Sequence, residues 1–401
     1  MDRWNLKATR KQGFIRQVSI TASLAWSQLV FEKRRLLAAI AGICFAVVLM
    51  LMQLGIRDAL FKSCTLHYSH FNADLVMIGQ QHESLLATKA FPRRRLWQTL
   101  AFQGVESVLP VYASLGTWKN PQTLKQRSIL VMGFEPSSCV FNVAGIESNL
   151  KKLDLPDVVL FDAASRPEFG AIKEAYRAGV PVRTELMDHR VEVGGLFTLG
   201  TSFGIDGTVV CNSWTFLRIF PSRRPGVINF GLIQLKPGAD AGEVLSRINK
   251  TLPSDVRVLS RAELVQKEQA YWAQNTPIGF VITMTMIIGL VVGSVILYQI
   301  LYTDINEHLK EFATLKAIGY TNAELSLVVL VQAFMLAMLA YPLAWAVSAV
   351  LYGLTHQATL LPIAMTAGRT LQIFLLTALM CSVSGLLAMQ RLRAADPAEV
   401  F

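Results

Sequence analysis

Between Arg35 and Arg57 the chain carries 21 residues, LLAAIAGICFAVVLMLMQLGI, with no charge among them. Wound as a helix, such a run covers the roughly 30 Å of a bilayer's hydrocarbon core, which makes a membrane anchor its natural fate. A cleavable leader would have a shorter apolar region nearer the start and a small-residue cleavage site, so this run is expected to persist as a span. Three more apolar stretches follow. Ile278 to Tyr302 is uncharged, and Thr276-Pro277 ahead of it supplies an N-cap and a proline at the first helical position. Glu324 and Arg369 bracket a longer uncharged region. It reads as a third span over 325–352, a loop over 353–369 holding His356 and Pro362, and a fourth span over 370–390. Pro342 within the third span predicts a local kink that neighbouring groups tolerate.

Composition agrees with a membrane class: 52% of residues are hydrophobic against 16% charged, and the mean hydropathy is +0.40. The net charge of +10 alone does not separate nucleic acid from anionic lipid as a partner, so its position decides. Residues 1–35 hold eight Lys or Arg against the two acids Asp2 and Glu32. With Lys33-Arg34-Arg35 before the first span and Arg391 and Arg393 after the fourth, both termini are expected in the cytoplasm of a cell with an inner membrane. Segment 303–323 is then inside, its acids counting little, and 391–401 is a cytoplasmic tail. Ile15, Val18, Ala22, Ala25 and Leu29 recur at helical spacing, which makes the first segment an amphipathic helix lying on lipid or packed against the bundle.

Residues 57–277 are then outside, and with 25 basic and 20 acidic residues and many β-rich runs they are too mixed to be a loop. Strands are predicted at 73–79, 127–134, 157–161, 208–212 and 227–235. A strand, helix, strand order near the end of the segment gives an α+β domain. The fold class is therefore an α-helical membrane protein with four transmembrane helices and a large extracytoplasmic α+β domain inserted between the first and second. Repeats and low-complexity tracts are absent.

Cys44 and Cys381 lie inside apolar runs, where a cysteine packs as a small hydrophobe. Cys64, His67 and His70 show a C-x2-H-x2-H spacing without an evident fourth ligand, so no metal site is expected. Cys139 and Cys211 lie in the outside segment, where an oxidising compartment would permit a disulfide. Arg93-Arg94-Arg95 and Arg223-Arg224 are basic clusters that suit either a solvated face or a partner surface. In the second span Gly289 and Gly293 give the small-xxx-small spacing that lets helices approach closely, within the chain or across a dimer.

The stretch EHLKEFATLKAIGY, 307–320, lies between two spans on the expected cytoplasmic side. Leu309, Phe312, Leu315, Ala317 and Ile318 form an apolar face, Glu307, Lys310, Glu311 and Lys316 stay polar, and Gly319 fits a helix C-cap. A short helix of this kind docks into a partner's groove or rests at the headgroups.

KEFATLKAIGY resembles the stretch after the second span in FtsX-like and MacB-like permeases. Over nearly the whole chain the sequence resembles one subgroup, the DevC-type permeases of cyanobacterial DevBCA exporters. The resemblance runs through FAVVLMLMQLGIRDALF (45–61), FNADLVMIG (71–79), FDAASRPEFG (161–170), GLFTLGTSFGIDGTVV (195–210), TPIGFVI (276–282), VGSVILYQILYTDINEHLKEFATLKAIGY (292–320) and ADPAEVF (395–401). Phe312 stands where that subgroup is expected to have tyrosine, and Cys211 where it is expected to have a small polar or apolar residue. The resemblance implies a homodimeric permease paired with two DevA-like ABC ATPase subunits, a DevB-like membrane-fusion adaptor and a TolC-like outer-membrane duct. ATP and magnesium would be held by the ATPase chain, not by this one. ATPase closure would push on 307–320, and Thr276-Pro277 with the preceding ELVQKEQAYW would relay the stroke to the outside domain, moving a lipid-linked or amphiphilic, glycolipid-like substrate outward.

No Gly is followed by Lys anywhere, so the phosphate-binding G-x4-G-K-[ST] loop is absent and the chain is expected to hydrolyse no ATP. H-E-x-x-H does not occur, and no intramembrane acid pair suggests a proton-driven carrier. No catalytic or cofactor-binding residue is expected, the partners include membrane lipid, and nucleic acid is not among them. Two other functions remain open. One is an FtsX-like signalling subunit that activates a periplasmic cell-wall hydrolase, and the other an anchored sensor without an ATPase.

Overall fold

Where water is excluded, each backbone N–H and C=O has to be satisfied within its own segment, so the apolar runs fold as helices. The computed structural model describes residues 33–137, 139–307, 314, 316, 318, 319 and 321–394. Helix α1 (Lys33–Cys64) opens the described chain and α2 (Leu66–Ser69) follows after one residue. Next come β1 (Leu75–Gly79), β2 (Phe91–Pro92), α3 (Arg93–Gln98), β3 (Val105–Lys119), β4 (Gln126–Phe134), β5 (Val158–Asp162) and α4 (Ile172–Arg177). Then β6 (Arg183–Leu186), β7 (His189–Phe197), β8 (Thr208–Asn212), α5 (Ser213–Ile219), β9 (Val227–Ile228) and β10 (Phe230–Leu235) are followed by α6 (Ala241–Thr251), β11 (Val256–Ser260) and α7 (Arg261–Gln274). Three long helices close the chain: α8 (Pro277–Glu307), α9 (Asn322–Thr359) and α10 (Ala367–Ala394). Among the described residues four helices, within α1, α8, α9 and α10, are long and apolar enough to cross a membrane, and the α/β domain lies between the first and second of them.

The helices outrun the apolar stretches that announced them. α1 continues past Arg57 and Asp58 to Cys64, and α9 runs through His356 to Thr359, where a loop was expected. Charge marks where an apolar run stops, but a helix stops only where its backbone is capped or broken.

The chain forms two compact units. One contains the described residues up to Asp58, Val281–Ala358 and those from Ile363 onward; the other contains Ala59–Phe280 together with Thr359–Pro362.

In the second unit nine strands form one sheet in the order β11-β1-β10-β3-β4-β8-β5-β7-β6. A further pairing of β3 with β6, Trp118 opposite Leu186, closes the strands from β3 to β6 into a ring. Strand alternation sends successive side chains to opposite faces, and each face has its own core. Leu75 and Met77 of β1, with Ile129 and Val131 of β4, enter one cluster, while Val76, Ile78, Leu130, Met132 and Phe134 enter the other. Strands covered on both faces read as continuous apolar runs, which is why VVLF and ILVM were legible. The run expected over 227–235 is interrupted at Asn229, whose side chain accepts from Ala113 N at 3.0 Å. The ring leaves β11 at the sheet's open end. There the Asn249 amide of α6 donates to Val258 O (2.8 Å) and accepts from Val258 N (2.9 Å), standing in for a neighbouring strand.

Local chemistry fixes the helix starts. Asn212 accepts from Thr215 N to cap α5, Asp240 caps α6, and Ser260 with Glu263 forms a capping box at α7.

Candidate functional site

Two places concentrate polar groups that a merely structural domain would not need: the approach to α8 and the helical unit's buried arginine. At the first, Pro277 opens α8, as its fixed φ suits. Thr276, expected as an N-cap, has its hydroxyl donating 2.7 Å to Trp272 O of α7. Only Asn275 and Thr276 separate α7 from α8, and a Cβ placed on Gly279 would collide with the backbone of Ala273. The junction is therefore a tight corner that only glycine permits at 279.

Close to this corner α7 carries Glu268, only 2% exposed. It accepts from Tyr68 Oη (3.2 Å), Leu85 N (3.1 Å) and Trp272 Nε1 (2.9 Å). Burial raises its carboxyl above the usual range, and the three donors hold it back. Tyr68 also meets His82 Nε2 at 3.3 Å, and burial pushes that imidazole down to about 4. His67, fully buried, meets Thr208 Oγ1 at 2.9 Å and is pushed down to about 3, first by burial and then by His70. Both histidines are thus neutral at physiological pH. Nothing in a single E-x-x-x-W or in the C-x2-H-x2-H spacing announced this cluster.

The second place lies within the helical unit. Arg369 of α10 is 5% exposed; its Nη2 reaches Asp58 Oδ2 of α1 (2.6 Å), and its Nη1 reaches Ala364 O (2.8 Å) and Tyr352 Oη of α9 (3.3 Å). The Tyr352 hydroxyl donates onward to Leu51 O, and Gly55 leaves the room it needs, since a Cβ there would strike the phenol. One arginine thereby ties three spanning helices. A buried charge is costly unless it is paired, and the Asp58 carboxylate answers this one.

Gly293 and Gly289 make contacts inside the chain. A Cβ on Gly293 would lie 2.5 Å from Ala46 Cβ and 3.0 Å from Met380 Sδ, whereas one on Gly289 would lie 3.8 Å from Leu49 Cβ. Gly42 completes the α1–α8 contact, its Cβ position lying 2.7 Å from Ile296. Gly293→Val is expected to force α1 and α8 apart and to lower the melting temperature of the detergent-purified chain by several degrees, with Gly289→Ala near neutral. Equal melting of the two variants would refute this assignment.

Of the expected coupling residues, Glu307 ends α8, Lys316 is half-buried, Ile318 is 72% exposed and Gly319 has φ +112°. The left-handed value at Gly319 is what a C-cap glycine adopts. Leu309, Lys310, Glu311, Phe312, Leu315 and Ala317 lie outside the described residues, as do the amphipathic segment with Ile15, Val18, Ala22, Ala25 and Leu29 and the ending 395–401.

All five cysteines are free. Cys211 faces one core and Cys139 packs against the other, so a bridge between them has no path. Cys64, His67 and His70 turn to Phe61 O, Thr208 and Leu66 O, and no cluster of three metal-ligating residues occurs among the described residues. The basic clusters are partly internal ties. Arg93 pairs with Glu135 and lies over Trp97, Arg95 pairs with Asp255, and Arg223 holds Ala113 O and Asn229.

Residues 283–397 match the family described as the FtsX-like permease C-terminal. The four apolar helices and this match make the chain a multi-pass membrane protein with a permease-type C-terminal region. No curated protein matches the sequence. Among solved structures, the periplasmic region of MacB from Actinobacillus actinomycetemcomitans is similar at 11% identity and a TM-score of 0.37, over 49% of this chain and 92% of that one. The extracellular domain of the noncanonic ABC-type transporter YknZ from Gram-positive bacteria is similar at 13% identity and a TM-score of 0.33, over 47% and 99%.

Proposed function

We propose that this chain is the membrane subunit of an ABC-type permease, driven by a separate ATPase and hydrolysing no ATP itself. The observation that carries the reading is the family match at 283–397, which takes in most of α8 and all of α9 and the described α10. The missing phosphate-binding loop supports a separate ATPase chain. In this reading both termini and 307–320 face the cytoplasm of an inner membrane, and the inserted domain faces the periplasm. Segment 307–320 takes the ATPase stroke, with Leu315 as the anchor in the partner's groove and Glu311 as rim contact. The Thr276-Pro277 corner passes it to α7. The finer assembly is a homodimer with an adaptor and a TolC-like duct, exporting a lipid-linked or amphiphilic, glycolipid-like molecule.

The test is Leu315→Asp at matched membrane levels. A carboxylate in an apolar groove is expected to cut co-purification of the ATPase more than tenfold and to remove substrate-stimulated hydrolysis. Glu311→Lys reverses a rim charge and is expected to act more mildly. If Leu315→Asp keeps full ATPase binding and full export, the coupling route is wrong.

A further inference from the structure

One loop of the inserted domain, GTSFGID at 200–206, touches every chain segment by which that domain continues into the spanning helices. Ser202 Oγ donates 2.6 Å to Ser63 O, at the end of α1. The Phe203 ring meets the Trp272 indole edge-on at 4.9 Å, on α7 just before α8. Thr201 Oγ1 donates 3.4 Å to Leu360 O, between α9 and α10. That last segment, Thr359–Pro362, packs with the inserted domain although it joins two helices of the other unit. It includes Leu360 at φ +58°, a left-handed conformation that a leucine adopts only when its surroundings impose it.

The loop is pinned at both ends by buried or paired carboxylates. Asp162, fully buried, accepts from Leu199 N (3.0 Å), Gly200 N (2.8 Å) and Ala164 N (3.0 Å). Asp206 pairs with Arg127 Nη2 (2.6 Å) and Arg166 Nε (2.7 Å). Arg166 in turn sends Nη2 3.2 Å to Thr359 O. A side chain fixed at one end by Asp206 and gripping a backbone carbonyl at the other is a strut. It gives the α9–α10 segment its own attachment, separate from the α7–α8 corner.

We propose that the 200–206 loop is the hub through which all three membrane-derived segments act together on the inserted domain, with Arg166 as the positioning residue that fastens the α9–α10 segment to it. A displacement of α9 and α10 then reaches Ser63 and Trp272 through the loop, whatever drives it. The inference deepens the permease reading, in which the ATPase stroke supplies that displacement, but the contacts and the test below do not depend on an ATPase.

The experiment is amide hydrogen exchange on the full chain in lipid nanodiscs, comparing wild type, Arg166→Ala, Arg166→Lys and Thr201→Val. Arg166→Ala removes a charged hydrogen bond and is expected to raise exchange at 359–361 and 200–206 by roughly tenfold. It is also expected to raise exchange detectably at 63–66 and 270–274, which Arg166 does not touch, while the β6–β7 hairpin at 183–197 stays unchanged. Thr201→Val, nearly isosteric, is expected to give the same pattern at smaller amplitude. Arg166→Lys, which keeps the charge for Asp206 but lacks the second arm, is expected to free 359–361. Exchange that rises at 359–361 alone would overturn the hub, since the contacts would then be independent. A rise that includes 183–197 in both Arg166→Ala and Thr201→Val would overturn it too, as a general loosening. Restoring a permease without its ATPase leaves these readouts in place, so the hub and the permease reading fail separately.

Discussion

Asp58→Ala is expected to destabilise the helical unit more than Arg369→Met does, although both break the same 2.6 Å ion pair. The reason is the asymmetry in burial: the side chain of Arg369 is 4% exposed and that of Asp58 46%. Removing the aspartate strands a guanidinium among helices, which costs roughly 3 kcal/mol for a buried charge that loses its partner. Removing the arginine leaves a carboxylate that water can reach. In the double variant Asp58→Ala/Arg369→Met no charge is stranded, and much of the loss should be recovered, giving a coupling that additivity would not produce. Unfolding midpoints of the four proteins in one detergent measure this. A double variant no more stable than Asp58→Ala would show that the pair does something other than compensate a buried charge.

Acid is expected to unfold the inserted domain well before its carboxylates as a class titrate. His67 is pushed from 6.5 down to about 3 and His82 to about 4, both chiefly by burial. For a base whose folded value is depressed, the unfolded chain binds more protons between the two values, so stability is full above the unfolded value near 6.5 and falls as pH drops below it. By pH 4 each histidine should cost roughly 3 kcal/mol. Glu268 works in the opposite direction. Its folded value is raised, so as pH falls from that raised value toward the ordinary glutamate value the folded state binds the extra proton and part of the loss is returned. His67→Gln, which keeps a hydrogen-bonding group toward Thr208, should flatten the curve between pH 6.5 and 4. Denaturant unfolding followed by tryptophan emission across that range reads the slope. An unchanged slope in His67→Gln would mean that the ring is already protonated in the folded chain.

The spanning helices and the doubly covered strands were legible because both are written as uninterrupted apolar runs. β3 was not: Val105–Lys119 contains Pro110 and Gly116, residues that read as breakers. In the folded chain Pro110 faces Gly231 of β10, and Gly116 leaves room for Phe220 and Leu186. The β6–β7 hairpin was missed for a different reason. Its turn places Met187 and Asp188 at φ +53° and +61°, positions where Asn-Gly is the usual signal.

The polar sites escaped because their members are far apart in sequence. Arg369 marked the end of an apolar run and was read as a boundary, and Asp58 lies one residue past Arg57, which marked another, when the two are partners 311 residues apart. The motifs FDAASRPEFG and GLFTLGTSFGIDGTVV were noticed only through resemblance. Asp162 and Arg166 of the first hold the loop carried by the second, a relation that no local spacing encodes.

The ring closure and the Asn249 cap together bear on crowding. A membrane confines every copy to two dimensions with a shared orientation, so sheets on neighbouring chains meet edge to edge more often than they would in free solution. An open strand in that setting is an invitation to cross-chain pairing. One end of this sheet is consumed by the β3–β6 pairing, and at the other an asparagine amide occupies the N–H and C=O of Val258. Asn249→Leu would uncover that edge while leaving the fold intact, and its cost would fall on the population of neighbouring copies and not on the single molecule.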